Sequence, residues 1–179
     1  MSPVYATLEA GPDDVILDVG CGTGNALHYL PTFEAYHGFD VDPVAIEFAR
    51  KEAAGRANVT YEARALGEDD LAAIQPSLVI LAGLLHHMDD LQAVGLLRMF
   101  AVPGSIRRIV TQDVVYLPHK RVSNFLAWLD RGKFVRREEG YRELAAQAGL
   151  GVDGARVVRS DPDSGRAFYF VMTLSTSSP

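Results

Sequence analysis

The stretch from residue 15 to residue 24, VILDVGCGTG, constrains the fold of this chain more than any other. Residues 15–19 are apolar apart from Asp18, which is the pattern of a short parallel strand buried on both faces. The three glycines within residues 20–24 permit positive φ angles and let a ligand approach the main chain closely. We predict that a helix follows over residues 27–30, with its first N–H groups also facing that ligand.

Composition limits what the rest of the chain can be. Its 179 residues suffice for one domain with a full core, and we expect residues 1–179 to form that domain. Cys21 is the only cysteine, so an internal disulfide is excluded and a reducing, cytoplasmic location is expected. No apolar stretch approaches the roughly 20 residues of a membrane span. The net charge of −6 disfavours sequence-independent binding to nucleic acid.

Strands and helices alternate along most of the chain. Apolar runs predict four further strands, over residues 35–40, 58–63, 77–83 and 107–114. Helices are predicted between them over residues 43–54 and 68–74, and from Asp89 or Asp90 to Phe100. This alternation is the signature of βαβ units, so we predict an α/β fold with a doubly wound, mostly parallel sheet.

The alternation breaks after the fifth strand. Helices are predicted over residues 118–132 and 138–149 with no strand between them, which makes residues 115–137 a helical insertion. Two further strand-like runs, 154–160 and 166–174, flank a turn-forming Asp-Pro-Asp-Ser-Gly cluster. They predict a closing antiparallel hairpin and bring the sheet to seven strands.

Two motifs resemble a known family. Asp18 followed by the glycines of residues 20–24 resembles motif I of the class I S-adenosylmethionine-dependent methyltransferases: hydrophobic, acid, x, Gly, x, Gly, x, Gly. Residues 38–43, GFDVDP, resemble the second motif of that family. The resemblance implies a Rossmann-like methyltransferase fold, S-adenosyl-L-methionine as cofactor and S-adenosyl-L-homocysteine as product.

The resemblance also assigns roles around the cofactor. In the family the motif I acid, here Asp18, helps to position the amino group, and the glycine turn lies against the methionine half. Asp40 is expected to accept both ribose hydroxyls and Val41 to pack on adenine. The family's acid after the third strand is missing, so main-chain groups or the acids at 68–70 are expected to replace it. The implied cofactor contacts are Asp18, Gly20, Cys21, Gly22, Gly24, Asp40, Val41, Ala65, Leu66 and Ala82.

A nicotinamide-dependent reductase is the competing interpretation of the glycine turn. Its fingerprint is G-x-G-x-x-G, whereas the third glycine here comes one residue early. An acid at Asp40 does not by itself exclude a nicotinamide cofactor. The two motifs together favour S-adenosylmethionine.

Residues 84–90, LLHHMDD, resemble the Leu-His-His-Leu-x-Asp version of the family's motif after the fourth strand. Family residues at this place flank the sulfonium and the incoming nucleophile, so His86 and His87 are the candidate catalytic residues. An imidazole here can instead hold the loop by bonding a backbone carbonyl. We expect His86 to be the pocket member and His87 the structural one.

The insertion is the candidate acceptor site. In many small-molecule methyltransferases the segment after the fifth strand forms the wall over the substrate. We therefore expect residues 115–137 to form a lid. Its candidate substrate contacts are Tyr116, His119, Arg121 and Trp128.

The composition of the insertion permits two interpretations. Phe125, Trp128 and Leu129 lie at a helical spacing that is typical of a face packed on the core. Between residues 120 and 143 seven basic residues stand against four acids, a local charge of +3 that leaves −9 elsewhere. These cations fit either an anionic substrate or a solvated helix surface.

The sequence thus predicts an S-adenosylmethionine-dependent methyltransferase that acts on an O, N or C atom of a small-molecule acceptor. A cofactor-binding but non-catalytic subunit that supports a partner is the first alternative, and the reductase is the second. The five histidines have no compact ligand spacing, so no metal is expected.

Overall fold

The computed structural model describes residues 3–102, 104–129, 132–159 and 168–176. The strands are β1 (Val15–Val19), β2 (Ala35–Asp40), β3 (Val59–Ala63), β4 (Leu78–Ala82), β5 (Arg108–Val114), β6 (Leu150–Arg159) and β7 (Phe168–Thr176). The α-helices are α1 (Pro3–Leu8), α2 (Pro43–Glu52), α3 (Glu68–Ile74), α4 (Asp90–Met99), α5 (Arg121–Leu129) and α6 (Glu138–Gln147). Two short 3-10 helices cover Asn25–His28 and Leu85–His87.

The strands form a seven-stranded sheet in the order β3-β2-β1-β4-β5-β7-β6. β1 is parallel to β2 and β4, and β2 is parallel to β3. β6 and β7 pair antiparallel and close the sheet as a hairpin. The predicted doubly wound, Rossmann-like methyltransferase fold is therefore confirmed, whereas the Asp-Pro-Asp-Ser-Gly cluster at 161–165 lies outside the described residues.

The chain divides into two compact units. The first comprises Met1–Ala82 and Gly104–Val110, and the second comprises Gly83–Pro103 and Thr111–Pro179. Since β1 to β4 are parallel neighbours, their carboxyl ends lie together at one edge of the first unit, where open α/β sheets bind ligands. A single domain over residues 1–179 stays a prediction.

The predicted helix after the glycine turn is wrong. Only the 3-10 helix Asn25–His28 forms there, and no α-helix intervenes before β2. Gly24 takes the N-cap position with φ of 79° and offers no side chain to bind the first N–H groups. Pro31 disfavours helical geometry at the residue before it, so too few residues remain to propagate a helix.

The predicted packing of the α5 apolar face is also wrong. Phe125, Trp128 and Leu129 are 56%, 68% and 57% exposed, and Ala127 is the one buried side chain of the helix. Helical spacing shows that apolar side chains share a face, but it does not show which element covers that face.

Candidate active site

The glycine turn after β1 is fastened to the neighbouring strand. The N–H groups of Gly20 and Cys21 both donate to the Phe39 carbonyl, at 2.8 and 3.1 Å. Gly20 and Gly22 have φ angles of 74° and 53°, the left-handed region that favours glycine. A Cβ added to Gly22 would meet no atom within 4 Å. The turn therefore presents bare main chain to an open space, which fits the methionine half of the cofactor.

Gly24, the third glycine, has no side chain and so leaves room for the neighbouring side chains of β3 and α2. A Cβ on Gly24 would lie 2.4 Å from the hydroxyl oxygen of Tyr61 and 3.2 Å from Cβ of Ala49. Tyr61 is only 4% exposed, so its ring has little freedom to move away. Gly24 is therefore required because β3 and α2 pack directly against the turn.

Asp40 joins the end of β2 to this turn. Its Oδ2 accepts the N–H of Gly22 at 2.8 Å, and its Oδ1 accepts the N–H of Asp42 at 2.9 Å. Each carboxylate oxygen retains a further lone pair, which fits two ribose hydroxyls. Val41 is 73% exposed, a position at which an apolar side chain can pack on a base. Asp42 caps α2 by accepting the N–H of Val44 at 2.9 Å, as predicted.

Asp18 is a buried acid beneath the turn. It is 3% exposed, and the Tyr36 hydroxyl donates to its Oδ2 at 2.5 Å. Burial raises the pKa of Asp18 to about 7; the Tyr36 hydrogen bond opposes this rise and the charge of Asp40 adds to it. A cationic ligand group near Asp18 would favour its ionised form, which fits the amino group of the cofactor.

The expected adenine end is partly occupied by an ion pair. Arg64 donates to both oxygens of Asp70 at 2.7 Å and to the Ala65 carbonyl at 3.2 Å. The Arg64 hydrogen bond lowers the pKa of Asp70 to about 2. Asp70 is thus already paired. Ala65 is exposed, whereas Leu66 and Ala82, at the end of β4, are half-buried.

In the second unit, His86 is fixed by a carboxylate. His86 and Asp113 are 4% and 1% exposed. One oxygen of Asp113 lies 2.8 Å from His86 Nδ1 and accepts the His86 backbone N–H at 3.1 Å. Because a carboxylate only accepts, we infer that Nδ1 carries the proton and Nε2 the lone pair.

Residues 132–134 cover His86. A Cβ on Gly132 would lie within 2.0 Å of His86 Cδ2, and the N–H of Phe134 donates to the His86 carbonyl at 3.0 Å. His87 is exposed, with its ring centre 4.2 Å from that of His86. The structure therefore buries His86 and exposes His87, and their catalytic roles stay a prediction.

Arg136 holds the histidine loop from the insertion. Its guanidinium donates to the carbonyls of Leu85 at 2.9 Å and Met88 at 2.8 Å. It also donates twice to Oδ1 of Asp90, at 2.9 and 2.6 Å. Since five N–H donors in a rigid fork suit such convergent acceptors, Arg136 fixes the loop more firmly than a lysine would.

The four predicted acceptor contacts lie at different places in the insertion. Tyr116 follows β5 and is half-buried, and its N–H donates to the Arg136 carbonyl at 3.0 Å. His119 is exposed in the loop before α5, with a φ of 63°. Arg121 begins α5 and Trp128 lies near its end, both exposed. Their role as substrate contacts and the lid role of residues 115–137 stay predictions, and positions 130–131 lie outside the described residues.

Sequence reasoning missed three residues of these arrangements: Tyr36, Asp113 and Arg136. Asp113 carried a usable signal, because an acid within the apolar strand β5 repeats the pattern of Asp18 in β1. The other two were not marked by any motif. Within the described ranges, no group of three or more His, Cys, Asp or Glu side chains is arranged to hold a metal ion.

Comparison with known proteins supports these observations. Residues 17–101 match the family model described as "Methyltransferase domain". No curated protein is significantly similar to the chain in sequence. The fold is shared with many solved structures, three of which illustrate the range.

The chain is similar in fold to a SAM-dependent methyltransferase from Methanosarcina mazei, with 15% identity, 98% of each chain covered and a TM-score of 0.71. It is similar to a geranyl diphosphate methyltransferase in complex with SAM, with 15% identity, 97% and 82% covered and a TM-score of 0.69. It is also similar to the magnesium protoporphyrin IX methyltransferase of Synechocystis PCC 6803 with bound SAH, with 16% identity, 93% and 75% covered and a TM-score of 0.66.

The fold, and the match of residues 17–101 to a methyltransferase-domain model, together support a class I S-adenosylmethionine-dependent methyltransferase. They support S-adenosylmethionine as its cofactor and methyl transfer as its activity.

Proposed function

We propose that the protein transfers the methyl group of S-adenosylmethionine to an oxygen, nitrogen or carbon atom of a small-molecule acceptor. When bound, the cofactor supplies an activated methyl group on a positively charged sulfur. The observation that carries the proposal is the edge of the first unit, where the bare glycine turn meets the carboxylate of Asp40 at 2.8 Å.

Two acids divide the recognition of the cofactor. Asp40 is held by two backbone N–H groups and receives the ribose hydroxyls with its remaining lone pairs. Asp18 lies deeper, and because it is buried its ionised form is disfavoured unless a cation approaches. The first acid therefore fixes the sugar, and the second selects a ligand that carries an ammonium group.

His86 is our candidate proton acceptor. A hydroxyl or amine acceptor must lose a proton as it is methylated, and an imidazole whose tautomer is fixed by Asp113 suits that step. The buried Asp113 carboxylate also stabilises the imidazolium that results. Because Gly132 covers the ring, we propose that residues 132–134 move away when the acceptor enters.

The names of two similar structures support a small-molecule acceptor. Geranyl diphosphate and magnesium protoporphyrin IX are both small molecules with negatively charged groups.

A nicotinamide-dependent reductase fits this site less well than a non-catalytic cofactor-binding subunit does. A nicotinamide-dependent reductase uses the N-terminus of an α-helix to hold a pyrophosphate, whereas a four-residue 3-10 helix follows the turn here. A non-catalytic subunit remains a real second candidate because His86 is 4% exposed.

The test is methyl transfer from labelled S-adenosylmethionine to a panel of small hydroxyl, amine and carboxylate acceptors. Label transfer to at least one acceptor is expected, with a loss of about 100-fold in kcat for His86→Gln when that acceptor is a hydroxyl or an amine, which must lose a proton. His87→Gln is the matched control, since it removes an adjacent exposed imidazole. Cofactor binding without transfer to any member of the panel would favour the non-catalytic subunit. A rate for His86→Gln equal to that of the wild type would remove His86 from the chemistry.

A further inference from the structure

Helix α5 exposes its large apolar side chains. Val122, Phe125, Trp128 and Leu129 are 63%, 56%, 68% and 57% exposed. At 3.6 residues per turn these positions and Arg121 fall within one arc of about 120° around the helix. The rings of Phe125 and Trp128 stack with their centres 5.9 Å apart, so the two aromatics form one raised patch.

The same segment is strongly basic. Residues 115–137 contain six Lys and Arg residues against one acid, although the whole chain has a net charge of −6. Lys120 and Arg121 are both exposed where the helix begins, and Lys133 is exposed beyond its end. Exposed apolar side chains flanked by cations fit a partner that is itself apolar and anionic.

We propose that α5 and its basic ends form a peripheral docking surface for an anionic lipid bilayer. The surface consists of Val122, Phe125, Trp128 and Leu129 with Lys120 and Arg121. The aromatic and aliphatic side chains enter the region between headgroups and acyl chains, while the cations stay at the level of the lipid phosphates. Each cation near an anionic surface strengthens binding about fivefold, the equivalent of about 1 kcal/mol.

Two other occupants fit this surface less well. A small ligand lies in a concavity, whereas side chains more than half exposed stand out from the protein and suit the soft face of a bilayer. A second copy docked symmetrically through the same face would offer Lys120 and Arg121 no carboxylate, because residues 120–129 contain no acid. No helix among the residues described in the structure is long and apolar enough to cross a membrane, so the proposed contact is peripheral.

The chain contains its own reporter for this contact. Trp128 is the only tryptophan of the sequence and belongs to the surface. We expect its fluorescence to shift to shorter wavelength when the full chain meets vesicles of equal parts phosphatidylserine and phosphatidylcholine. Vesicles of phosphatidylcholine alone should bind at most a tenth as much protein as the anionic vesicles do. Added salt should weaken binding to the anionic vesicles.

Matched variants isolate the surface while Trp128 is retained. Lys120→Glu with Arg121→Glu, and separately Phe125→Ser with Leu129→Ser, should each weaken co-sedimentation with anionic vesicles at least tenfold. Leu91→Ser on α4 is the apolar control because Leu91 is 88% exposed outside the surface. Lys51→Glu on α2 is the charge control: its side chain is 70% exposed, and the change also removes its surface ion pair with Glu47. All these side chains are exposed, so circular dichroism should show the same fold in every variant.

Three results would overturn the proposal. The first is an unchanged Trp128 spectrum with anionic vesicles. The second is equal weakening by the control variants, which would show that any exposed residue affects the assay. The third is a concentration-dependent shift of Trp128 emission without lipid, accompanied by a larger species in light scattering, which would assign the surface to a second copy.

Discussion

Replacement of Asp18 by Asn should stabilise the protein above neutral pH. Asp18 is 3% exposed, and burial holds its pKa at about 7 instead of the ordinary 3.8. Asn has nearly the same shape and can still accept the hydrogen bond from Tyr36 through its amide oxygen. The substitution therefore removes a buried charge without opening a cavity.

The magnitude and its pH dependence follow from the two pKa values. Because the folded protein holds the Asp18 proton more tightly than the unfolded chain, Asp18 contributes stability that is fully present below about pH 4. That contribution falls as the pH rises and is lost above about pH 7. The stabilisation lost over this range is about 4 kcal/mol. Asn does not titrate. The free energy of unfolding of Asp18→Asn should therefore rise by about 2–3 kcal/mol relative to that of the wild type between about pH 5 and about pH 8.

Urea unfolding of both proteins at these two pH values measures the difference directly. Other titrating groups are common to the two proteins and cancel in the comparison. A difference in the free energy of unfolding that stays constant with pH would refute the proposed pKa of Asp18. We also expect Asp18→Asn to bind S-adenosylmethionine more weakly, because the cation then loses its counter-ion.

Two further predictions concern the turn and the histidine loop. Gly22→Ala should weaken S-adenosylmethionine binding at least tenfold in calorimetry, because its Cβ enters the open space. Gly55→Ala is the control: Gly55 has a φ of 89° and equal room, so this variant should lose only about 1–2 kcal/mol of stability. Equal binding by the two variants would show that the cofactor does not use the space at Gly22. Arg136→Ala should lower the free energy of unfolding by about 2–3 kcal/mol in urea, because two carbonyls lose a charged donor. The exposed neighbour Arg137 is the control, and an equal loss for Arg137→Ala would contradict the role of Arg136.

The local features of the fold could be predicted from the sequence. The strand predicted over residues 35–40 coincides with β2, and the helix predicted over 68–74 coincides with α3. β2 buries the apolar side chains Tyr36 and Phe39, whereas α3 has no buried residue and its start is marked by the Gly67 N–H, which donates to Asp70. β6 was predicted to begin at Gly154 but begins at Leu150, since a bulge between Val152 and Gly154 interrupts the alternation of its first residues.

The candidate site was predictable only where its residues are neighbours in sequence. Asp40 was found because a motif surrounds it, and the fold joins its carboxylate to Gly22. Tyr36 and Asp113 reach their partners through strand pairing and loop packing, across 18 and 27 residues. Arg136 likewise bonds carbonyls 48 and 51 residues away. Composition does not reveal such contacts, because they depend on which strands become neighbours.

The central claim is that the turn and Asp40 bind S-adenosylmethionine, and isothermal titration tests it most directly. We predict micromolar binding of S-adenosylmethionine and S-adenosylhomocysteine, about −7 to −8 kcal/mol. Asp40→Ala should lose about 1.5–3 kcal/mol of that affinity, because charged hydrogen bonds to two hydroxyls disappear. Asp42→Ala removes only a helix cap and should bind as the wild type does. Binding of NADH or NADPH with none of the sulfonium cofactor, or an unchanged affinity in a folded Asp40→Ala variant, would contradict the claim.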